Sequence, residues 1–170
     1  DLLIKNFDPK LIKTELNLLK KFGAKIKLFK NSINIKGPER IKSIKNITTK
    51  EYPGFPTDLA PQFMVLLCKA SGTSSITENI FQGRFLHAME LQRLGAKITI
   101  KNRTAKIEGN TNFIAAEVMS SDLRASAALV LAGIVSKGNT VVTRVYHCDR
   151  GYENFENKLK KIGVKIKRLK

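Results

Sequence analysis

A ten-residue pattern occurs three times in this sequence, and it limits the folds that the chain can adopt. It reads LKKFGAKIKL at 19–28, LQRLGAKITI at 91–100 and LKKIGVKIKR at 159–168. Each copy begins as an amphipathic helix, continues with a glycine, and ends in alternating polar and apolar residues typical of a half-buried strand. The copies recur about every 70 residues, which is longer than the common solenoid repeats. The pattern therefore predicts a small α/β unit that is repeated within one domain.

The first two copies continue through a polar turn into a second strand that ends in glycine. These second strands, at 32–37 and 104–109, predict two β-hairpins. Together with the apolar stretches upstream, the unit reads helix, strand, helix, strand, strand. We therefore expect an α/β fold whose units cover about 1–37, 51–109 and 110–170, with the first unit incomplete at its N-terminus.

The net charge of +17 raises the possibility of a nucleic-acid-binding module. Lysine dominates the basic residues, and in 25–28 and 165–167 lysines alternate with apolar residues, as on the solvated face of a strand. Only 7% of the residues are aromatic and none is Trp, whereas nucleic-acid binders often interleave aromatic and basic side chains. A biased composition is therefore favoured, although a non-catalytic basic module stays open as an alternative.

Cysteine content and the length of apolar runs indicate the cellular compartment in which the protein is expected. The two cysteines, Cys68 and Cys148, are too few for a disulfide framework and fit a reducing compartment, so we expect a cytoplasmic protein. Cys68 lies in an apolar helical stretch and is expected to pack in the core. The longest uninterrupted apolar runs, among them 63–68, are too short to cross a bilayer.

Acidic and arginine side chains occur at matching points of two units. Asp58 follows Thr57 and Asp122 follows Ser121, and we expect the hydroxyl residue to cap a helix and the carboxylate to occupy its first turn. An arginine follows each carboxylate after 26 or 28 residues. The candidate anion-binding arginines are Arg84, Arg124 and Arg150. Since such pairs are also common structural devices at helix ends, the pattern by itself predicts only a repeated α/β domain that could bind an anion.

Longer strings resemble the enolpyruvyl transferase family, and most closely those members that act on UDP-N-acetylglucosamine. The resemblance is strong over 51–170 and loose over 1–50. The strings are YPGFPTD at 52–58, ITE at 76–78, RF at 84–85, DLRASA at 122–127 and DRGYE at 149–153.

This resemblance implies a fold of two similar domains, each made of three βαβαββ units arranged as an inside-out α/β barrel. The chain would then be the C-terminal part of the enzyme, one incomplete domain without its partner domain. The implied reaction moves the enolpyruvyl group of phosphoenolpyruvate to the 3′-hydroxyl of UDP-N-acetylglucosamine and releases phosphate, without a cofactor. That step commits the sugar nucleotide to peptidoglycan synthesis.

The resemblance also implies roles for individual residues. Asp58 would lie next to the sugar hydroxyl as its general base, and Asp122 would assist proton transfer or orient an arginine. Ile80 and Phe81 would contact the sugar nucleotide through backbone and packing. The three arginines, Arg84, Arg124 and Arg150, would surround the carboxylate and phosphate of phosphoenolpyruvate and stabilise charge in the tetrahedral intermediate, so that Arg150 would be catalytic together with Asp58 and Asp122.

Some features depart from the family pattern. Position 61 is Pro, and Gln82-Gly83 precedes Arg84 where an acidic residue and Asn are expected. Neither cysteine matches the family's loop cysteine, and the family's N-terminal Lys-Asn pair is absent. We therefore expect the chain to be inactive alone, and a relative that acts on shikimate 3-phosphate remains an alternative.

Overall fold

A computed structural model of the chain describes residues 1–169, which form nine β-strands and five α-helices in mixed order. Lys170, the last residue of the third predicted unit, lies outside the described residues. In chain order the elements are β1 (Leu2–Lys5), α1 (Lys13–Lys21), β2 (Lys25–Phe29), β3 (Ser32–Lys36), β4 (Ile47–Thr48), α2 (Ala60–Lys69), β5 (Thr73–Thr77), α3 (Leu86–Arg93), β6 (Lys97–Lys101), β7 (Thr104–Glu108), β8 (Glu117–Met119), α4 (Leu123–Ile134), β9 (Val141–Thr143) and α5 (Phe155–Lys161).

The strands form three separate sheets, and the predicted α/β class is confirmed. One sheet has the antiparallel order β1-β3-β2, and a second has the order β4-β5-β7-β6, in which only β4 and β5 are parallel. The third sheet is the parallel pair β8-β9. The hairpins β2-β3 and β6-β7 are the two that the repeated pattern predicted. From β4 to β7 the order of elements is βαβαββ.

The third copy of the repeated pattern differs from the first two. Gly163 has a positive φ of 91°, as expected for a glycine that ends a helix, and α5 precedes it. Residues 164–169, however, form no strand, so the strand predicted there is wrong. In the other two copies the strand is held by a following hairpin strand, whereas no described strand follows here. Alternation of apolar residues cannot form a ladder without a partner.

Two predicted helix starts also need correction. Asp122, not Ser121, caps α4, because its Oδ1 accepts hydrogen bonds from the backbone N–H groups of Arg124 and Ala125. Residues Thr57–Leu59 form a 3-10 turn before α2, and the Thr57 side chain makes no capping bond there. The Thr57 hydroxyl is instead engaged with distant side chains described below.

The core lies between helices α2 and α4 and the second sheet. Both helices are rich in apolar residues on more than one face, which fits burial between layers. Cys68 is fully buried, as predicted, and burial raises the pKa of its thiol to about 12, so it stays protonated at neutral pH. Fully buried members of this core include Met64, Leu67, Ile76, Leu91, Leu94, Ala105, Ile107 and Leu129.

Gly109 allows the end of β7 to approach the turn after α2. Its backbone N–H donates to the Gly72 carbonyl at 2.9 Å, and the next residue, Asn110, donates to the Ala70 carbonyl at 2.8 Å. A Cβ atom at position 109 would lie 1.9 Å from that Ala70 oxygen. Only glycine permits this contact.

Among residues 1–169, every helix is too short or too polar to span a bilayer.

Candidate active site

The side chain of Asp58 connects two arginines from different segments. Its Oδ1 accepts a hydrogen bond from Nη1 of Arg84 at 3.0 Å and from Nε of Arg124 at 2.5 Å. Asp58 lies in the 3-10 turn before α2, Arg84 lies just before α3, and Arg124 lies in the first turn of α4. The fold therefore brings together three of the predicted site residues at the start of three helices.

The two arginines lower the pKa of the Asp58 carboxyl group. Partial burial would raise the pKa of this carboxyl group, but the hydrogen bonds and charges of Arg124 and Arg84 outweigh burial and hold the pKa below its usual value. Asp58 is thus ionised at neutral pH. Its side chain is 63% exposed, so solvent screens the ion pairs and an external anion can compete for the arginines.

Asp122 lies beside this cluster, and its main contacts are with the backbone at the start of α4. Burial would raise its pKa, but hydrogen bonds from the N–H groups of Ala125 and Arg124 keep the pKa low. The guanidinium of Arg124 stays 3.9 Å from Asp122 Oδ1, which is a long ion pair. Asp122 therefore fixes the start of α4 and, through it, the direction in which Arg124 leaves the helix.

Glu78 organises the segment that carries Arg84. This side chain is 2% exposed, and its Oε1 accepts hydrogen bonds from the Thr49 hydroxyl and from the backbone N–H groups of Ile80 and Phe81, at 2.7–3.0 Å. Oε2 accepts from the Thr57 hydroxyl at 2.7 Å. Burial would raise the pKa of Glu78, but these donors outweigh it and hold the pKa low.

Thr57 joins Glu78 to the arginine cluster. Its hydroxyl donates to Glu78 and accepts from Nη1 of Arg84 at 2.9 Å. Arg84 is further held by Phe81, because the guanidinium carbon lies 4.0 Å from the centre of that ring. Phe81 is 48% exposed. Arg84 is therefore positioned by a hydroxyl, a carboxylate and an aromatic face, and only its outward side is open.

A small cleft of about 100 Å³ opens between these helix starts. Its polar walls are Thr57, Arg84, His87, Asp122 and Arg124. His87 is 4% exposed, and burial lowers the pKa of its imidazole to about 4 against the opposing effect of the Asp122 charge. The cleft is therefore lined by two cations, a carboxylate and a neutral imidazole. A larger open depression of about 540 Å³, bordered by 39–41, contains none of the predicted site residues.

The structure does not bring Arg150 into the cluster. Arg150 ends the 3-10 helix Val145–Arg150, is exposed, and forms no ion pair with another residue in the described range 1–169. The neighbouring Tyr152 contacts α2, because its hydroxyl accepts a hydrogen bond from Nε2 of Gln62 at 2.8 Å. Burial raises the pKa of Tyr152, with smaller effects from Gln62 and from the charge of Asp58.

Three of these residues were not singled out by the sequence pattern. Glu78 was only the last residue of the ITE string at 76–78, without an assigned role, and a lone acidic residue after a strand is usually solvated. Thr57 was expected to cap a helix, and His87, shortly after the RF string at 84–85, had no role assigned to it. The roles of Glu78 and Thr57 depend on contacts across 21 to 29 residues, which spacing along the chain does not reveal.

Two guanidinium groups at helix starts pair with one exposed carboxylate within a mixed α/β fold, an arrangement whose donors can bind a small anion. The chain matches the family model described as EPSP synthase (3-phosphoshikimate 1-carboxyvinyltransferase) over residues 1–159, and it belongs to this family. The predicted membership in the enolpyruvyl transferases is thereby confirmed.

Bacterial relatives share high identity with this chain. It is 58% identical over 169 residues to UDP-N-acetylglucosamine 1-carboxyvinyltransferase of Pelagibacter ubique (strain HTCC1062), and 50% identical over 169 residues to the protein of the same name in Desulfosudis oleivorans. Each match covers 99% of this chain and 40% of the relative. The chain thus spans about two fifths of the length of the curated relatives it matches.

Solved structures confirm the fold. The enolpyruvyl transferase NikO from Streptomyces tendae superposes with a TM-score of 0.89 at 24% identity, covering 98% of this chain and 39% of that protein. An EPSP synthase from Acinetobacter baumannii superposes with a TM-score of 0.76 at 18% identity, covering 99% of this chain and 42% of that one. At these identities the likeness concerns the fold alone.

Proposed function

We propose that this chain is the C-terminal part of an enzyme that transfers the enolpyruvyl group of phosphoenolpyruvate to the 3′-hydroxyl of UDP-N-acetylglucosamine, the committed step of peptidoglycan synthesis. The observation that carries the proposal is the convergence of Arg84 and Arg124 on Asp58. The names of the two relatives, at 58% and 50% identity, support this acceptor over shikimate 3-phosphate.

The proposed reaction is an addition followed by an elimination. The hydroxyl oxygen of the sugar attacks C2 of phosphoenolpyruvate, the hydroxyl loses its proton, and C3 gains one. The tetrahedral intermediate then loses phosphate from C2 and a proton from C3, which restores the double bond. Negative charge stays on the carboxylate and phosphate throughout, so fixed guanidinium groups stabilise both the substrate and the intermediate.

In this scheme the two arginines leave Asp58 and bind the anion of phosphoenolpyruvate. A base must take a proton from the hydroxyl, yet an ordinary Asp with a pKa of about 3.9 is a weak base for an alcohol. In the free chain Arg84 and Arg124 weaken it further. When the anion of phosphoenolpyruvate takes over the arginines, the Asp58 carboxylate loses their hydrogen bonds and becomes a stronger base. Anion binding and activation of the base are thereby linked.

The remaining predicted residues take supporting roles. Asp122 fixes the first turn of α4 and so orients Arg124. The backbone N–H groups of Ile80 and Phe81 already bind Glu78, so we propose that these two residues contact the sugar nucleotide through their side chains or carbonyls. Arg150 is exposed and could bind the phosphate of phosphoenolpyruvate without first leaving a partner in the described chain.

We also propose that the units 1–37, 51–109 and 110–170 are parts of one inside-out α/β barrel domain, and that a second domain outside this sequence closes over the cluster. The βαβαββ order from β4 to β7 supports the repeated unit. The 40% coverage of the relatives supports a further domain. We expect the complete enzyme to act without a cofactor and without binding nucleic acid or a membrane.

A chimera tests the proposal directly. The chain would replace the matching 169 residues of the Pelagibacter ubique relative, and phosphate release would be measured with phosphoenolpyruvate and either UDP-N-acetylglucosamine or shikimate 3-phosphate. We expect release with the sugar nucleotide only, and none from the 170-residue chain alone. Release with shikimate 3-phosphate would favour the alternative acceptor. An inactive chimera beside an active parent enzyme would overturn the proposal.

A further inference from the structure

The imidazole of His87 is almost completely buried and lacks a partner for one of its nitrogens. The residue is 4% exposed, and its Nε2 has no hydrogen-bond partner within residues 1–169. Buried polar atoms are nearly always paired, since an unpaired one has lost its water without gaining a replacement. The position of Nε2 is therefore unfavourable for the stability of the chain as it stands.

The location of His87 indicates what the unpaired nitrogen could bind. It lines the same cleft as Arg84 and Arg124, at the first turn of α3, with Thr57 and Asp122 on the other walls. Both arginines present N–H donors, and the charged groups that face the cleft are these two cations and Asp122. Asp58, which pairs with both arginines, adds a second carboxylate at the rim.

His87 differs from the other groups of the cleft because it is uncharged at neutral pH. Burial keeps the pKa of the imidazole near 4, so protonation would require acid conditions. A neutral imidazole carries one N–H donor and one acceptor nitrogen. It can therefore add a directional hydrogen bond to an anion without adding a third positive charge, which would repel the arginines.

We propose that His87 is a binding residue of this cleft, and that its Nε2–H, which is closed to solvent in the free chain, becomes accessible when an anion binds and donates a hydrogen bond to an oxygen of the small carboxylate or phosphate that Arg84 and Arg124 hold. The inference deepens the proposed function, because it rests on the cleft binding an anion. The bound oxygen supplies the partner that Nε2 lacks. The buried Nε2 thus lowers the stability of the free chain but gains a hydrogen bond in the complex, and such a loss of stability is common at functional sites.

The sequence contains a matched control. His147 also has a buried Nε2 without a partner among residues 1–169, but it does not line the cleft. Its ring packs at a tilt of 39° against that of Tyr146, with ring centres 4.3 Å apart. Because the chain has only two histidines, their imidazole nitrogens can be observed separately by ¹⁵N nuclear magnetic resonance. The spectrum of each nitrogen reports both its protonation and its hydrogen bonding.

The experiment titrates the ¹⁵N-labelled chain at about pH 7.5, where a histidine of ordinary pKa is mostly neutral, with phosphoenolpyruvate and, separately, with inorganic phosphate. We expect the Nε2 signal of His87 to shift with saturation while the signals of His147 stay in place. His87→Leu should weaken binding of the probe at least tenfold without lowering the midpoint of urea unfolding. His87→Gln, which keeps a donor, should restore most of the affinity, and His147→Leu should leave the affinity unchanged.

The outcomes separate this inference from the proposed function. Tight binding of phosphoenolpyruvate by both the chain and His87→Leu would overturn the role of His87 and leave the proposed function standing. A shift of His87 with phosphate but not with phosphoenolpyruvate would support the role of His87 and contradict the proposed substrate. No response to either probe would overturn the role of His87 in this chain, and the chimera would then decide the proposed function separately. Should His87→Leu unfold, the same substitution in the chimera must raise KM for phosphoenolpyruvate more than it lowers kcat.

Discussion

The Nε of Arg124 donates a hydrogen bond to Oδ1 of Asp58, 66 positions earlier in the chain. The same oxygen accepts from Arg84, so one carboxylate pairs with two guanidinium groups in the free protein. This arrangement keeps two cations close together without ligand. It also means that any anion entering the cleft must compete with Asp58 for the arginines.

Replacing Asp58 by Asn should therefore strengthen anion binding while it abolishes catalysis. Removal of the competing charge is expected to tighten phosphate binding by about 1 kcal/mol, roughly fivefold, since exposed ion pairs are worth little more. Transfer by the chimera should fall by about 10² to 10⁴, the usual contribution of a general base. Calorimetric titration of the chain and phosphate release by the chimera measure the two effects.

Asp149→Asn is the matched control for this substitution. Asp149 pairs with Arg168 at 2.6 Å and does not line the cleft. It should change neither the affinity for phosphate nor the rate of the chimera. Unchanged or weaker phosphate binding by Asp58→Asn would contradict the competition between Asp58 and the anion.

Replacing Glu78 by Gln should destabilise the chain and loosen the segment that carries Arg84. The amide oxygen of Gln can replace only one of the two carboxylate oxygens, so its NH2 group must face either the Thr57 hydroxyl or the Thr49 hydroxyl and two backbone N–H groups. We expect the free energy of unfolding to fall by about 2–4 kcal/mol, because charge-assisted bonds are lost and donors face donors. Urea unfolding measures this loss, and the exposed Glu108→Gln in β7 should cost less than about 0.5 kcal/mol.

Replacing Gly109 by Ala should be far more harmful than the same change at the matching position of the first repeat. The new Cβ at 109 would meet the Ala70 oxygen at 1.9 Å, so the backbone must shift and break two hydrogen bonds. We expect a loss of about 3 kcal/mol or more. At Gly37 no atom lies within 4 Å of the position that an alanine methyl would occupy, so Gly37→Ala should be neutral or slightly stabilising. Similar unfolding midpoints for both variants would contradict the close approach.

The stability of the chain should fall as the pH drops from about 6.5, the ordinary pKa of histidine, toward 4, in part because of His87. Its pKa is lower in the folded chain, about 4, than in the unfolded chain, so protons bind first to the unfolded state and favour it. At about pH 5 this effect amounts to about 2 kcal/mol relative to about pH 7.5. The carboxylates with lowered pKa, such as Asp58, lose their stabilisation at more acid pH. Unfolding of the wild type and of His87→Leu at both pH values measures the histidine share. An equal loss in the two proteins would contradict it.

Much of the local structure could be predicted from the sequence because it depends on neighbouring residues. The three glycines at 23, 95 and 163 all have the positive φ expected after a helix, and both predicted hairpins form. The types of residue at the site were also predictable, since carboxylates and arginines at matching points of a repeat indicate anion chemistry. The longer strings, such as YPGFPTD at 52–58 and DLRASA at 122–127, predicted the family to which the chain belongs.

Contacts between distant segments were decided only by the tertiary structure. Spacing along the chain placed Asp58 and Arg124 in different units, and only the packing of α2 against α4 brings them into contact. Contacts of α3 with α4 and α2 accompany the burial of His87. Tertiary contacts also turn Thr57 from an expected helix cap into a link between Glu78 and Arg84. Residues 164–169 have the alternation of a strand but form none, because a ladder requires a partner. Local propensity thus determined the elements, whereas packing determined which side chains meet.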